Sequence, residues 1–458
     1  MRRVAVMLGF VLAVAACRDL PTTPSGDVPL ESISPPWSEP NFVVVMTDDQ
    51  TLESLQHMPR VLRLIGDEGI AFTQAITTTS LCCPSRVSLL RGQYTHNHQV
   101  FTNNNLRSGG WAKVRAMGLE SSTIATALQA AGYRTALMGR YINKYFYNIH
   151  YRTVPPGWDH WIVSGNPVRQ YAMDGALYSD GGGVHQNDFL ATRARTFIEA
   201  QAGPFLLMIW PTTPHYPSLP AVRHRGMFAN HPVPHAPSRE LNVRDSATAD
   251  ALYRRRLEAL QSVDEMVESV IDALDDKGVL GTTYVFFLSD NGLLLGEHGV
   301  SRRKNLHWEE TLRIPFLVRG PGITRGITSS ALVANTDVAP TIAELAGVTM
   351  GHVVDGRSLS PLFASGTATP WRRVMGFEHY RWDKSTGTIG HDYGIRDGAF
   401  SLARRNGRRH FYDLVADPYQ LRNLTSLRRG LANTYEAAAI TLSTCAGAGC
   451  RAAEDRAP

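Results

Sequence analysis

The stretch Phe42-Val43-Val44-Val45-Met46-Thr47-Asp48-Asp49 joins five apolar residues to a threonine and two carboxylates. A continuous apolar run of this length is typical of a strand buried on both faces of a parallel sheet. Tyr284 to Leu288 is a second such run, and it ends in Ser289-Asp290-Asn291-Gly292. Ligands of parallel sheets bind beyond the carboxyl ends of the strands, so both polar segments are candidates for one site.

Strands and helices alternate around these two runs. We predict further strands at Thr135 to Met138, Phe205 to Trp210 and Ile314 to Val318, and helices at Ser122 to Ala131, Thr248 to Asp276 and from a capping Asp337 to about Ala346. Strands that alternate with helices favour a parallel arrangement. The fold class is therefore α/β, with a large, mostly parallel mixed sheet flanked by helices.

The pattern changes after about Trp371. Short segments such as 400–403 and 410–414, broken by Gly and Asn, indicate a small antiparallel subdomain. The predicted organisation is a signal peptide (1–17), a Pro/Ser-rich tether (18–40), a catalytic domain (41–370), a small C-terminal α+β subdomain (371–440) and a tail (441–458).

The composition is that of a globular enzyme. Of the 458 residues, 43% are hydrophobic and 19% charged, and the net charge is +5. No Lys/Arg block or aromatic-interleaved basic stripe is present, which argues against nucleic-acid binding. Only five residues are lysine, so nearly all the positive charge is arginine.

The N-terminus has the pattern of a secretory signal. Arg2 and Arg3 precede an apolar run that ends in Val14-Ala15-Ala16-Cys17. This ending is typical of a bacterial lipobox, in which Cys17 becomes the acylated N-terminus. The alternative is a plain signal peptide cleaved near Ala16. The first interpretation predicts an exported protein, anchored by lipid to the bacterial cell envelope on the periplasmic side or at the cell surface.

Four cysteines remain after Cys17. Cys445 and Cys450 lie in a short Ala/Gly-rich segment, where they either pair in an oxidising compartment or stay as free thiols. Cys82 and Cys83 are adjacent, and adjacent cysteines rarely pair with each other. Their presence in an exported protein requires another explanation.

Asp48, Asp49, Asp290 and Asn291 form a candidate metal site. These side chains offer four oxygen ligands and no cysteine, which favours a hard cation over zinc. Calcium is the predicted cation, with magnesium as the alternative. Aspartate at a strand end is also a common turn former, so either pair alone would more often be a cap or turn. Two such pairs, each after a buried strand, favour the metal interpretation.

The segment Ser80-Leu81-Cys82-Cys83-Pro84-Ser85-Arg86-Val87-Ser88-Leu89-Leu90-Arg91-Gly92 contains Cys-x-Pro-Ser-Arg followed by an apolar pair and Gly. This motif resembles the signature of type I sulfatases. In that family the first cysteine, here Cys82, is oxidised to formylglycine by a dedicated formylglycine-generating enzyme. The resemblance implies an alkaline-phosphatase-like fold and hydrolysis of sulfate esters.

The resemblance extends over most of the chain. Three similar segments are 41–50, which carries the first metal pair, 132–140, which is similar to the family's second signature, and 210–217, which contains an active-site His215. Three more are 289–292, which carries the second metal pair, 304–309, which contains the sulfate-binding Lys304, and 411–424, which lies near the end of the C-terminal subdomain. Local matches at 82–86 and 94–98 are similar to N-acetylglucosamine-6-sulfatases and related glycosaminoglycan sulfatases. A sulfated sugar or glycan, with 6-O-sulfated N-acetylglucosamine as one candidate, is the implied substrate.

The resemblance also implies a role for each site residue. Hydrated formylglycine at position 82 presents two hydroxyls: one attacks sulfur and expels the alcohol, and the other then expels sulfate and restores the aldehyde. Residue 82 also contributes to the metal site. Arg86 supports the hydrated aldehyde, while His215 and Lys304 contact the sulfate or the leaving oxygen, with His215 as a candidate proton donor.

Arg140 is a departure from the family pattern. The second signature normally carries lysine at this position and often histidine two residues later, where Ile142 stands. A planar guanidinium binds sulfate in a different geometry from an ammonium, and Asn143 or Lys144 are alternatives for the role. Arg140 is included among the predicted catalytic residues.

Three functions are compatible with these patterns. The first is an active sulfatase. The second is a phosphonate monoester or phosphodiester hydrolase on the same fold, because both bind a tetrahedral anion. The third is a non-catalytic glycan-binding lipoprotein, which the intact nucleophile and metal positions disfavour.

Overall fold

The computed structural model describes residues 37–104, 108–146, 152–165, 170–179, 183–240, 243–383 and 385–458. The predicted signal peptide, its Cys17 and most of the predicted tether lie outside these residues. Within these ranges, no helix combines the length and the apolar character needed to cross a membrane.

Strands and helices alternate through the first part of the chain. The strands are β1 (Asn41–Thr47), β2 (Ile70–Ile76), β3 (Arg134–Gly139), β4 (His160–Ser164), β5 (Gln170–Met173), β6 (Ala176–Ser179), β7 (Phe205–Trp210), β8 (Thr283–Ser289), β9 (Leu294–Leu295), β10 (Ser301–Arg303), β11 (Phe316–Arg319), β12 (Ile327–Ala334), β13 (Met375–Asp383), β14 (Thr388–Arg396), β15 (Phe400–Arg405) and β16 (Arg408–Asp413). The helices are α1 (Pro59–Val61), α2 (Cys82–Arg91), α3 (Thr95–His98), α4 (Gly110–Ala116), α5 (Ile124–Ala130), α6 (Gln186–Glu199), α7 (Val243–Asp276), α8 (Glu309–Leu312), α9 (Val338–Leu345), α10 (Arg429–Leu442) and α11 (Ala448–Glu454).

The described residues form a large sheet in the order β12-β2-β11-β8-β1-β7-β3-β4-β5-β6. Its centre is parallel: β1 pairs with β7 on one side and β8 on the other, and β3 continues the parallel run. Antiparallel pairs involve β11 and the edge strands β5 and β6. The predicted large, mostly parallel mixed sheet with flanking helices is confirmed.

Strand β1 is buried on both faces, as its unbroken apolar run predicts. Val43 and Val45 pack into a core with α6 and α7, whereas Phe42 and Val44 face a second core formed with α2, α5 and α9. Because successive side chains of a strand point to opposite faces, both cores fix the register of β1. Its C-terminal end, and Asp48 after it, is thereby held at the middle of the sheet.

The predicted antiparallel C-terminal sheet is also observed. It consists of β13, β14, β15 and β16 in sequence order, covered by α10. The segment that we predicted as a tail, 441–458, contains α11 and the disulfide Cys445–Cys450. The two cysteines that the sequence left open are therefore paired.

Helix α11 is attached to the main body by the buried Glu454. Its carboxylate lies 3.1 Å from both Arg357 and Arg372 and accepts a hydrogen bond of 2.6 Å from Tyr94 Oη. Asp337 occupies the N-cap position of α9, as predicted, but its side chain makes no capping hydrogen bond there and pairs through both oxygens with Arg372, at 2.6 and 2.7 Å. These contacts connect the C-terminus to the end of α2.

We expect Glu454→Ala to lower the free energy of unfolding by about 3–5 kcal/mol, because it removes one partner from a buried charged cluster. Asp455→Ala is the matched control: Asp455 pairs with Arg357 at 2.8 Å but is 42% exposed, so its loss should cost less than about 1 kcal/mol. Urea unfolding of both variants measures the difference. Equal effects would contradict an anchoring role for Glu454.

Candidate active site

The ends of β1 and β8 bring the four predicted metal ligands together. Thr47 lies opposite Ser289 in the parallel register, so the residues that follow are neighbours. The Asp49 amide donates to Asp290 Oδ1 at 3.0 Å, and Asn291 Nδ2 donates to Asp49 Oδ1 at 2.6 Å. Asp48, Asp49, Asp290 and Asn291 are all buried.

Cys82 is the first residue of α2 and lies at the same place. Its Sγ is 3.6 Å from Asp48 Oδ1, and ligand atoms of Cys82, Asp48, Asp49 and Asp290 all lie within 4.8 Å of one another. Every residue of α2 is buried. Burial raises the pKa of the Cys82 thiol well above its usual value, the Asp48 carboxylate adds to this, and the nearby Lys304 opposes it.

Arg86 stands one helical turn after Cys82, so both side chains lie on the same face of α2. Its guanidinium is fully buried and lies 3.0 Å from Asp48 Oδ2 and 3.0 Å from Asp290 Oδ2. It also donates to the carbonyl oxygen of Arg140. Arg86 therefore holds the two strand ends and the start of α2 in one arrangement.

The charges of the cluster indicate that it can hold a cation. Burial and the neighbouring Asp48 raise the pKa of Asp290 to about 6. Burial also opposes the charge of Asp48, but surrounding cations, Arg140 first, outweigh it and lower the pKa of that carboxyl. Several carboxylates are thus crowded into a buried space, where a divalent cation would relieve their repulsion.

Asn291 provides an independent test of the fit. Its Oδ1 is buried and has no hydrogen-bond partner among the described residues, while its Nδ2 donates to Asp49. A buried amide oxygen without a partner is costly unless a ligand satisfies it. Beside three carboxylates, this oxygen suits a hard cation such as calcium or magnesium.

Lys304 approaches the cluster from the segment after β10. Its Nζ lies 2.7 Å from Cys82 Sγ and pairs with Asp49 Oδ1. Burial opposes its charge, but Asp49 and its neighbours more than compensate and raise the pKa of Lys304 above its usual range. The segment is fixed because the Asn305 amide donates to the Ser80 carbonyl at 2.6 Å, two residues before Cys82.

Arg140 directly follows β3 and reaches the cluster at Asp48. Its guanidinium lies 3.3 Å from Asp48 Oδ2. Gly139 makes this approach possible: it has a φ of +113°, and a Cβ there would lie 2.1 Å from the Trp210 carbonyl oxygen. Ile142, where the family pattern often has histidine, is buried in the core.

His215 lies in the loop after β7. The Asp48 amide donates to the Thr213 carbonyl at 3.1 Å, which places this loop beside the end of β1. His215 Nε2 is 3.8 Å from Asp49 Oδ2, and Nδ1 is 2.7 Å from the Tyr216 carbonyl oxygen. An Nδ1–H donated to that carbonyl leaves Nε2 facing the cluster.

Every predicted site residue therefore lies in one cluster, but the sequence analysis missed part of its support. Arg256 of α7 is buried and donates to the carbonyl oxygens of Asp49 and, at 3.1 Å, Pro214. Asn103 Oδ1 accepts the Cys83 amide at 2.9 Å. Arg256 left one signal, since it interrupts the apolar face between Leu252 and Leu260; nothing in the sequence marks Asn103.

A cavity of about 770 Å³ opens beside the cluster. Arg140 and His215 belong to its wall, and so do Asn143 and Lys144, the alternatives to Arg140. A cavity of this size can contain a small organic ligand. A molecule bound in it would have one end beside Arg140 and His215, which also contact the carboxylate cluster.

Comparison with known proteins identifies the class. Residues 40–348 match the sulfatase family, and residues 296–434 match the C-terminal region of N-sulphoglucosamine sulphohydrolase. The chain belongs to the sulfatase family. Sulfatases generally use a metal ion and a formylglycine, and the buried acidic cluster can hold such an ion.

Individual relatives refine the comparison. An extracellular sulfatase SULF-1 homolog of Drosophila melanogaster is 37% identical over 357 residues, 71% of this chain and 31% of that protein. Human N-acetylglucosamine-6-sulfatase is 32% identical over 367 residues, 73% of this chain and 66% of that protein. The chain thus spans between about one third and two thirds of these relatives. A solved structure in complex with its substrate D-glucosamine-2-N,6-O-disulfate has a TM-score of 0.72 at 24% identity, covering 89% of this chain and 97% of the other.

We expect Arg140→Ala to reduce kcat/KM by an amount equivalent to about 2–4 kcal/mol, as for loss of a preorganised donor. Arg140→Lys should recover much of this, because the family's usual residue restores the charge. Arg134→Ala, at the exposed start of the same strand, is the control and should have little effect. A silent Arg140→Ala would remove this residue from the site.

Proposed function

We propose that the protein hydrolyses sulfate esters of a sulfated sugar or glycan, with formylglycine made from Cys82 and one divalent cation, calcium with magnesium as the alternative. The observation that carries this proposal is the position of Cys82. Its Sγ lies among the carboxylates that end two central strands and 2.7 Å from Lys304 Nζ. A nucleophile derived from this residue would act within a ready-made anion-binding and cation-binding site.

Asp48, Asp49, Asp290 and Asn291 would hold the cation, together with the group derived from Cys82. The bound cation supplies charge neutralisation for the sulfate oxygens as the S–O bond breaks. Arg86 keeps the Asp48 and Asp290 carboxylates aligned, because it pairs with both in a fully buried position. Formylglycine, when hydrated, supplies one hydroxyl for attack and a second through which sulfate is released.

Lys304 beside Cys82 and Arg140 beside Asp48 would bind the sulfate. Lys304 contributes a compact ammonium and Arg140 a planar fork of donors, and both reduce the repulsion between nucleophile and sulfate. His215 would donate a proton to the leaving oxygen from Nε2, since Nδ1 is engaged with the Tyr216 carbonyl.

The substrate class rests on two supports. Human N-acetylglucosamine-6-sulfatase is among the similar proteins, and the cavity beside Arg140 and His215 has room for a sugar. We propose 6-O-sulfated N-acetylglucosamine, free or within a glycosaminoglycan, as the first substrate to test. The proposal includes maturation by a formylglycine-generating enzyme and export to the cell envelope through a lipid anchor at Cys17.

The test uses protein produced in a host with the maturation enzyme and loaded with calcium. Mass spectrometry of the peptide that contains residue 82 should show replacement of the thiol by an aldehyde. The converted protein is then assayed with N-acetylglucosamine 6-sulfate, a phosphonate monoester and a phosphodiester. We expect N-acetylglucosamine 6-sulfate to be hydrolysed with the highest kcat/KM of the three substrates and to release inorganic sulfate.

Two results would contradict the proposal. Preferred cleavage of the phosphonate or the phosphodiester would identify the alternative hydrolase. Failure of fully converted, metal-loaded protein to turn over any of these substrates or a wider set of sulfated sugars, while it binds them, would identify a glycan-binding protein.

A further inference from the structure

Tyr216 and Arg302 form a pair at the opening of the active site. Tyr216 directly follows His215, lines the cavity and is 55% exposed. Arg302 lies in β10, two residues before Lys304. The guanidinium carbon of Arg302 is 4.9 Å from the centroid of the Tyr216 ring. The pair therefore joins the two segments that deliver His215 and Lys304.

Arg302 differs from the arginines of the catalytic cluster because no described carboxylate pairs with it. Arg86 and Arg140 each pair with Asp48. Across the described part of the chain, no carboxylate lies within ion-pair distance of Arg302. The Arg302 side chain is exposed, so a ligand can reach it. A guanidinium that lies over an aromatic ring is attracted to the ring without using its N–H groups, which can then donate to a ligand.

Stacking also prepares Arg302 for binding. A long side chain normally loses rotamer freedom when it binds a ligand, and the tyrosine ring already restricts this one. A planar guanidinium held in one orientation matches the paired oxygens of a carboxylate or sulfate. Tyr216 lines the cavity together with Arg140 and His215, and the part of the substrate that leaves with the alcohol oxygen would extend into this cavity.

We propose that Arg302, held by Tyr216, binds a second anionic group on the leaving sugar, a carboxylate or a sulfate, and so selects substrates with this second charge over those that carry only the scissile sulfate. This inference rests on the proposed sulfatase function and assigns specificity-determining residues within it. It adds a recognition site for a charge that takes no part in the bond cleavage.

The test compares three substrates that share a 6-O-sulfate: N-acetylglucosamine 6-sulfate, its N-sulfated counterpart, and a disaccharide that carries a uronic carboxylate. Arg302→Gln should reduce kcat/KM for one or both substrates that carry a second charge, relative to N-acetylglucosamine 6-sulfate, by about tenfold, mainly through KM. The doubly charged substrate whose kcat/KM falls more identifies the group that Arg302 binds. Tyr216→Ala should give part of this loss, and Tyr216→Phe should retain the wild-type ratio.

Arg303→Gln is the matched control, because it removes the same charge one residue further along β10, beside Arg405. The same ligands are also titrated against the Cys82→Ala protein with and without Arg302→Gln, which measures binding without turnover. Failure of the wild-type enzyme to release sulfate would reject the proposed function, whereas this titration would still test the anion site. Unchanged ratios in both measurements, or equal losses in Arg303→Gln, would overturn the inference.

Discussion

Replacing Cys82 with alanine is expected to reduce turnover of the best sulfate ester by at least about 10⁴-fold, because the nucleophile is derived from this side chain. The fold should survive, since the change removes a single sulfur atom from the first position of α2. Steady-state kinetics measure the loss, and circular dichroism with thermal unfolding verifies the fold.

Cys83→Ala is the matched control. Cys83 is also buried, but its side chain belongs to the hydrophobic core and is not part of the carboxylate cluster. Its replacement should lower stability slightly and leave turnover near that of the wild type. Retained activity in Cys82→Ala, together with loss in Cys83→Ala, would show that the nucleophile had been assigned to the wrong cysteine.

Asp290→Ala is expected to remove most of the bound divalent cation and to lower turnover by about 10³-fold. The change takes away an anionic oxygen ligand and also one of the two buried carboxylates that pair with Arg86. Elemental analysis of dialysed protein measures the cation, and sulfate release measures turnover. Asp48→Ala should behave in the same way, because its carboxylate shares both roles.

Two further variants separate metal loss from instability. Asp290→Asn keeps an oxygen that accepts from Arg86, so it should lose the cation with a smaller cost in stability. Asp276→Ala removes a carboxylate that is 62% exposed and pairs with Arg195. This variant should change neither the content of bound cation nor the stability. Stoichiometric zinc in the native protein, with calcium and magnesium absent, would reject the proposed oxygen-ligand site.

The centre of the fold could be predicted from sequence because its signals are local. Val43 to Val45 and Val285 to Phe287 lie in unbroken apolar runs, and each run precedes polar residues at the carboxyl end of a strand. Parallel pairing then brings those ends together. The 441–458 segment carried no such periodic signal, because α11 is short. Its Glu454 is stabilised by Arg372 and Arg357, which precede it in the chain by 82 and 97 residues.

The candidate site shows the same division. Cys82 and Arg86 lie on adjacent turns of one helix, so a short sequence motif is enough to predict that their side chains are close together. Arg256 reaches Asp49 from 207 residues away, and its role depends on how α7 packs against the sheet. The approach of Arg140 to Asp48 likewise depends on the backbone conformation of Gly139, the last residue of β3. Long-range contacts of this kind are set by tertiary packing, which a single sequence does not display.

The burial of α2 also bears on how the protein is made. Cys82 is 1% exposed, and the nine residues that follow it in the helix are buried as well. A maturation enzyme can oxidise Cys82 only where the thiol is accessible to that enzyme's own active site. Under the proposed function, conversion must therefore take place on the nascent or unfolded chain, ahead of the collapse that encloses the helix. A molecule that folds before Cys82 is oxidised stays unconverted. The fraction of molecules oxidised before folding therefore determines the active fraction of the protein for its lifetime.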